Sequence, residues 1–266
     1  MRRSPLWLWL AAAVLYLFMY TPIAVVTAYS FNEARYGAGW RGFTFKWYGT
    51  LLKNDLVLSA AWNTVILALV STAVATVLGT LLGYGLRRYW FPGKKVFSWL
   101  MYIPVVIPDI VMAVALVLFF QILRNLVGLF ELGMVTMIIG HITFQVPFVA
   151  IVVRARLAGM DPALEEAAHD LGANHWETFW HVTFPQILPG VMAGALLAFT
   201  LSWDDFVVSC FTTGPGSTTL PILIYSSVKR GITPDINALS TLMVAVSIVG
   251  TVGMVLVQRF RQVKGG

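Results

Sequence analysis

Three aspartates stand inside long apolar stretches of the chain, where an ionised side chain is energetically expensive. Asp109 interrupts the apolar run 96–123, and Asp204 and Asp205 lie near the end of the run 187–208. A charged residue at the centre of a membrane helix costs about 2.5–3.5 kcal/mol on insertion scales. Carboxylates kept at that cost mark a candidate functional site, and their charge favours a cation.

The two runs also predict how deep the carboxylates lie. At 1.5 Å per residue, Asp109 is about 20 Å and Asp204 about 26 Å from the inner ends of their helices, in a hydrocarbon core about 30 Å thick. Pro104 and Pro108 loosen the helix before Asp109 and free backbone carbonyls, which membranes tolerate beside a cavity. We therefore expect a cation path in the outer half of the membrane.

Two neighbours complete the predicted path. Trp203 precedes Asp204 and offers a ring face to an ammonium group. On one helix Asp204 and Asp205 would point about 100° apart, so one faces the path and the other a helix partner, with no indication of which. The alternative is that the aspartates pair with Lys or Arg, but no predicted span holds a basic residue, which leaves the cations of a partner chain. We interpret His141, also within a span, as a hydrogen-bonded packing residue.

Composition explains why these residues must be considered in a membrane. Of the 266 residues, 58% are apolar and 11% charged, whereas soluble domains have about 45–50% and about 25%. These values exclude a nucleic-acid reader, and the single Cys210 excludes an internal disulfide. Charge-poor stretches predict an all-α integral membrane protein with six transmembrane helices. The predicted spans are 6–32, 56–86, 96–123, 132–153, 187–208 and 238–257.

Basic residues predict the orientation of the spans. The segments on the side of the termini hold eleven Lys and Arg against seven on the other side. The short Arg87–Lys95 loop alone holds four. Because positive loops stay in the cytoplasm, both termini are expected there, and the net charge of +6 reflects orientation. The first run exceeds the length of about 7–15 residues typical of a signal peptide, so we interpret it as a retained span.

The inner loop Arg154–Gln186 is the longest and holds five of the twelve acidic residues. Asp161 and Pro162 predict the start of a short helix, and Gly172 its left-handed end. Asn174 with Glu177 predicts a capping box for a second helix, which Pro185 would end. The helix pair either docks a partner or closes the bundle. Small residues at helix-packing spacing, Gly79/Gly83 and Gly190/Gly194, indicate contacts within the bundle or with a second subunit.

Within this loop, Glu166-Ala167-Ala168, Gly172 and Phe184-Pro185 resemble the EAA loop of ABC importer permeases. The spacing matches throughout, and Val182 and Phe184 replace the Ile and Leu of the family pattern. The resemblance implies a type I ABC importer permease (MetI-like) fold, in which this loop docks into a groove of a cytoplasmic ATPase. The residues expected to couple the two proteins are Glu165, Glu166, Ala167, Ala168, Gly172 and Pro185.

No nucleotide-binding motif of the type G-x-x-x-x-G-K-[ST] occurs in the chain. The resemblance therefore implies that ATP and Mg are bound by partner ATPase subunits, with no cofactor in this chain. No catalytic constellation or metal-binding set stands out, so we expect a transport subunit and no enzyme.

Longer stretches resemble the spermidine/putrescine permeases of ABC importers. The most specific are Pro108-Asp109-Ile110-Val111-Met112 and Ser202-Trp203-Asp204-Asp205, although Trp203 replaces the more usual Met or Leu. The segment 214–221 is similar to the putrescine-only branch, so the preferred polyamine stays open. The resemblance implies import of polyamines from periplasm to cytoplasm across a bacterial inner membrane. It also implies a homologous second permease, two ABC ATPases and a periplasmic polyamine-binding protein as partners, beside membrane lipid and without nucleic acid.

These expectations define an organisation and its rivals. Residues 1–32 form the first helix with a cytoplasmic N-terminus, 33–55 a periplasmic loop, 56–257 the permease core with its coupling loop 154–186, and 258–266 a cytoplasmic tail. One rival is a permease of the same fold for iron(III), thiamine or aminoethylphosphonate. Another is a secondary transporter or channel driven by a gradient, and a membrane enzyme is more distant because it would lack a nucleophile or metal set.

Overall fold

The computed structural model describes residues 6–34 and 39–264, with only the backbone described at 254 and 257–264. Arg2, Arg3 and Arg35, which enter the charge count, lie outside the described residues, as do the last two residues of the predicted tail. In the described ranges the secondary structure is helical apart from one isolated bridge between Asn32 and Phe43. The helices are α1 Leu6–Tyr29, α2 Lys46–Leu51, α3 Asp55–Arg88, α4 Lys94–Val106, α5 Asp109–Val127, α6 Met134–Ala158, α7 Ala163–Asp170, α8 His175–Thr178, α9 Phe184–Trp203, α10 Val207–Thr212, α11 Leu220–Val228 and α12 Pro234–Lys264.

Six helical segments of the described chain are long and apolar enough to cross a membrane, which confirms the predicted fold class. They are α1, α3, α5, α6, the continuous segment His175–Trp203 and Pro234–Gly253. The chain divides into two compact units, one formed by 1–60 with 220–249 and the other by 61–219 with 250–266. We call the second the core unit, because it contains the residues of the candidate site.

The first unit has its own polar and aromatic contacts. The indole of Trp47 donates to the carbonyl oxygen of Asn32 at 2.7 Å, and the hydroxyls of Ser30 and Tyr48 share a hydrogen bond of 2.8 Å. The ring of Phe31 stacks on that of Phe43, with centroids 5.1 Å apart. These contacts hold the segment after α1 against α2.

The third predicted span is wrong as a single helix. It divides into α4 and α5, with Ile107 and Pro108 in extended conformations between them. Pro108 explains the break, because proline lacks an N–H and disfavours helical geometry at the residue before it. Pro104, which was also expected to loosen this helix, is accommodated inside α4. Of these two helices, α5 is the one long and apolar enough to cross a membrane.

The fifth predicted span is also interrupted. Helix α9 ends at Trp203, and α10 begins only at Val207. The aspartates at 204 and 205 therefore lie in a non-helical break, and the expected angle of about 100° between them does not apply.

The loop helices follow most of their local signals. Asp161 accepts a hydrogen bond from the Ala163 N–H at 3.0 Å, and Gly172 has a φ of 87°. Asn174 and Glu177 form the predicted capping box. Pro185, however, does not end the second helix, which continues through a π-helical turn at Phe179–Thr183 into α9. In a regular helix a proline clashes with the carbonyl group four residues before it and cannot donate a hydrogen bond to it. The wider π-helical turn avoids this clash, because its hydrogen bonds join residues five apart.

Both glycine pairs face α6 within the core unit, which confirms packing inside the bundle. A Cβ atom at Gly79 would lie 2.6 Å from the Cβ of Val149, and one at Gly83 would lie 2.8 Å from the Ala150 carbonyl oxygen. A Cβ at Gly194 would lie 3.1 Å from the Val149 Cγ1. Since these distances leave no room for a side chain, α3 and α9 approach α6 only where glycine is present.

This contact gives a testable prediction. Gly79→Ala should lower the free energy of unfolding in detergent by about 1–3 kcal/mol, because the added methyl group overpacks the α3–α6 contact. Gly85→Ala is the matched control in the same helix, since nothing lies within 4 Å of the Cβ position there. Equal unfolding curves for the two variants would contradict the close packing.

Candidate functional site

A cavity of about 310 Å³ in the core unit is lined by all three intramembrane aspartates. None of the described residues along its wall is basic. The other lining residues are Pro104, Met112, Phe144, Phe148, Leu201, Phe206, Val207 and Val208. The cavity thus combines carboxylates with a largely apolar wall, an arrangement suited to a cation that also has apolar parts.

The cavity lies about halfway along α6. Phe144 contributes to the wall and is 14 residues, or about 21 Å, from the end of α6 at Ala158. This is about the depth predicted for Asp109, although that prediction assumed one continuous helix.

Asp109 reaches the cavity because a helix begins there. It is the first residue of α5, directly after the proline break, and its side chain is exposed. An acidic residue in the first turn of a helix is favoured by the helix dipole. The break therefore both exposes the carboxylate and stabilises its charge.

Asp204 and Asp205 have different environments in spite of being neighbours. The carboxylate of Asp205 accepts hydrogen bonds from the backbone N–H groups of Val208 at 3.3 Å and Ser209 at 2.7 Å, at the start of α10. Its side chain is only 11% exposed, and one oxygen lies 3.3 Å from the Nε2 of His141. Asp204 is exposed at the cavity. Asp205 is therefore anchored to the protein, and Asp204 is the more accessible carboxylate.

Trp203 is not placed as predicted. The described residues that line the cavity do not include it. Its side chain is 6% exposed, and its ring stacks on Phe199 with centroids 5.6 Å apart. Trp203 is the last residue of α9, and its ring packs along that helix against Phe199. Asp204 and Asp205 follow in the non-helical break and line the cavity.

A buried polar network adjoins the cavity. His141 shares hydrogen bonds with the hydroxyls of Ser202 at 2.7 Å and Ser209 at 3.0 Å. Gln145 donates to the Ser71 hydroxyl at 3.2 Å and to the Ala198 carbonyl at 3.1 Å, and Ser71 and Ser202 share a further bond. These bonds confirm His141 as a hydrogen-bonded packing residue.

Ser71, Gln145 and Ser209 belong to this network although no sequence motif marks them. The available signal was the spacing of His141 and Gln145, which are four residues apart and so lie on one face of α6. Two such polar residues within an apolar span must face the protein interior, because lipid offers no hydrogen bonds.

The loop residues divide into an inner and an outer set. Glu165 is buried, accepts a hydrogen bond from the Thr183 hydroxyl at 2.7 Å and forms an ion pair with Arg88 at 2.9 Å. By contrast Glu166, with Ala167, Gly172 and Pro185, is exposed, and Ala168 is half-buried. Glu165 therefore ties α7 to the end of α3 and to the π-helical turn.

Comparison with known proteins assigns the chain to a family. Residues 75–263 match the family described as "Binding-protein-dependent transport system inner membrane component". The chain belongs to this family of permeases. It is 41% identical over 245 residues to the spermidine/putrescine transport system permease protein PotC of Escherichia coli K12, covering 92% of this chain and 91% of PotC. It is 40% identical over 260 residues to the putrescine transport system permease protein PotI of the same strain, covering 97% and 92%.

Solved structures confirm the type of permease fold. A bacterial ABC transporter that imports the acidic polysaccharide alginate matches with a TM-score of 0.77 and 18% identity, covering 96% of this chain and 94% of that one. The MetNI methionine ABC transporter matches with a TM-score of 0.62 and 21% identity, covering 82% and 98%. At these identities the likeness shows the fold, and it is that of ABC importer permeases.

The network gives a second prediction. His141→Ala should lower the free energy of unfolding by about 1–3 kcal/mol, because the hydroxyls of Ser202 and Ser209 each lose a buried hydrogen bond and Asp205 loses its neighbouring imidazole. His181→Ala, at an exposed position of the π-helical turn, should leave the free energy of unfolding nearly unchanged. Thermal and denaturant unfolding of the purified proteins measure both effects, and similar losses in the two variants would speak against the network.

Proposed function

We propose that this chain is a permease subunit of an ATP-driven importer that moves polyamines, spermidine or putrescine, from periplasm to cytoplasm. The observation that carries the proposal is the cavity halfway along α6, which is lined by three carboxylates and by no described basic residue. The relatives named as spermidine and putrescine permeases support it.

The chemistry of the cavity suits a polyamine. Such a cation carries ammonium groups separated by short methylene chains, so it needs both anionic and apolar contacts. Asp109 and Asp204 supply the anionic ones, and rings such as Phe144 and Phe148 supply apolar surface with a face that attracts cations. When the cargo sheds water in the cavity, the carboxylates offset its lost hydration.

The two neighbouring aspartates take separate roles in this proposal. Asp204 faces the cargo because it is exposed to the cavity. Asp205 holds α10 and His141 in place through the hydrogen bonds of its buried carboxylate. It contributes negative charge to the cavity while its position stays fixed.

The exposed side of the loop receives the ATPase motion. Glu166, Ala167 and Gly172 present a carboxylate, a small surface and a tight turn to a partner, and Leu171 beside them is 90% exposed. ATP and Mg are then bound by two separate ATPase subunits on the cytoplasmic side, where both termini also lie. A homologous second permease completes the pore, and a periplasmic binding protein delivers the polyamine.

The roles of the aspartates are testable by uptake. Asp109→Asn and Asp204→Asn should each lower polyamine uptake about 30-fold or more, because a desolvated ammonium loses its charged partner, while thermal stability is retained. Asp205→Asn should instead lower thermal stability, because the amide nitrogen cannot accept a hydrogen bond from the N–H groups of Val208 and Ser209 as both carboxylate oxygens do. Uptake of radiolabelled spermidine and putrescine in cells with equal amounts of membrane-inserted protein measures this.

Undiminished uptake by the Asp109 variant would overturn the assigned path. Competition by unlabelled iron(III), thiamine or aminoethylphosphonate, without competition by polyamines, would show that the same fold carries another solute. Full uptake without any co-purifying ATPase would favour a gradient-driven transporter.

The loop gives a separate prediction. Glu166→Ala should lower transport-coupled ATP hydrolysis several-fold in the reconstituted complex with little change in stability, because its exposed carboxylate contacts only the partner. Glu165→Ala should lower the free energy of unfolding by about 1–3 kcal/mol, since Arg88 and Thr183 lose their partner. The reverse pattern, with Glu166 stabilising and Glu165 dispensable for folding, would refute this division.

A further inference from the structure

A second and larger pocket in the core unit has a different character from the cargo cavity. It measures about 610 Å³ and is lined by the connection between α3 and α4, by α4 and by Arg154 of α6. No acidic side chain is among the described residues that line it. The residues that give it its character are Trp90, Lys94, Lys95, Trp99, Tyr102 and Arg154.

The positive charge of this pocket is not neutralised within the described chain. Two other arginines of the unit have partners: Arg88 pairs with Glu165, and Arg156 donates to the Gln186 carbonyl at 3.0 Å. Lys95 and Arg154 form no ion pair with a described carboxylate, and the ammonium group of Lys94 donates to the Tyr89 carbonyl oxygen at 2.9 Å. Uncompensated cations at a half-enclosed site attract an anion.

The surroundings place the pocket at the boundary between lipid and water. The side chains of Trp90 and Trp99 are 85% and 77% exposed, and tryptophan favours the headgroup region of membranes. Further along α4, Leu100 and Ile103 are also exposed, while Met101 packs against the core unit. A strip of apolar surface therefore runs from the basic pocket toward the membrane interior.

We infer that this pocket binds the headgroup of an anionic phospholipid. Lys95 and Arg154 contact the phosphate, the exposed tryptophans pack against the glycerol region, and the acyl chains follow the apolar surface of α4. Charge complementarity selects an anion, and the adjoining apolar strip selects one with lipid tails over a soluble phosphate or an acidic protein segment. Basic pockets between membrane helices bind lipid headgroups in this way.

The test uses the full-length chain purified in mild detergent, with phosphatidylglycerol and phosphatidylcholine as probes. Native mass spectrometry should show tighter binding of phosphatidylglycerol. Removing a charge near an anionic lipid weakens binding about fivefold, so the double variant Lys95→Gln/Arg154→Gln should lose about 25-fold of its affinity for that lipid. Its affinity for phosphatidylcholine should stay the same.

Lys53→Gln/Arg230→Gln is the matched control, because it removes the same charge at exposed positions that do not line the pocket. Equal losses in both double variants, or no preference of the unmodified protein for phosphatidylglycerol, would overturn the inference. So would stoichiometric displacement of the lipid by ATPase subunits, which would make the pocket a protein contact. If the Arg154 substitution impairs folding, Lys95→Gln alone should still weaken binding about fivefold.

Discussion

Polar groups in a bilayer must find their partners inside the protein, and one face of α6 supplies such partners to three other helices of the core unit. His141 and Gln145 lie on that face and bind hydroxyls or carbonyls of α3, α9 and α10. Because lipid cannot replace these hydrogen bonds, the four helices are fixed in register. The glycines of α3 and α9 allow the approach that the hydrogen bonds require. The position of the aspartate-lined cavity depends on this alignment.

The carboxylates of the cavity depend on interruptions in the helices. Asp109 begins α5 after Pro108, and Asp204 and Asp205 follow the end of α9. Irregular backbone at membrane depth is tolerated only where it is buried in protein or lines a cavity. Each break meets this condition, since its residues face the cavity and Asp205 satisfies the free N–H groups of α10. The negative charges and the helix breaks occur at the same places because both are tolerated only where the chain is buried in protein or lines a cavity.

Local signals predicted much of the fold correctly. Six spans, the glycine contacts and the caps at Asp161, Gly172 and Asn174 rest on interactions between residues close in sequence or on composition alone. Predictions failed where a helix had to be judged continuous or broken. Apolar runs conceal the division of the third span and the end of α9 at Trp203, and the π-helical turn that accommodates Pro185 has no comparable signature. Hydropathy reports the medium around a residue, whereas these breaks depend on contacts with other helices.

The sequence by itself determined the membrane class and the three aspartates that stand in apolar surroundings, and it carried the resemblance to the family. Only the tertiary structure separated residues that are adjacent and chemically alike. Asp205 is anchored because His141 of α6 and the start of α10 reach it, while Asp204 is left at the cavity. Glu165 is buried because Arg88 of α3 pairs with it, while Glu166 stays exposed. Neighbours of the same type share one local pattern, and partners distant in sequence decide which of them is structural and which is accessible.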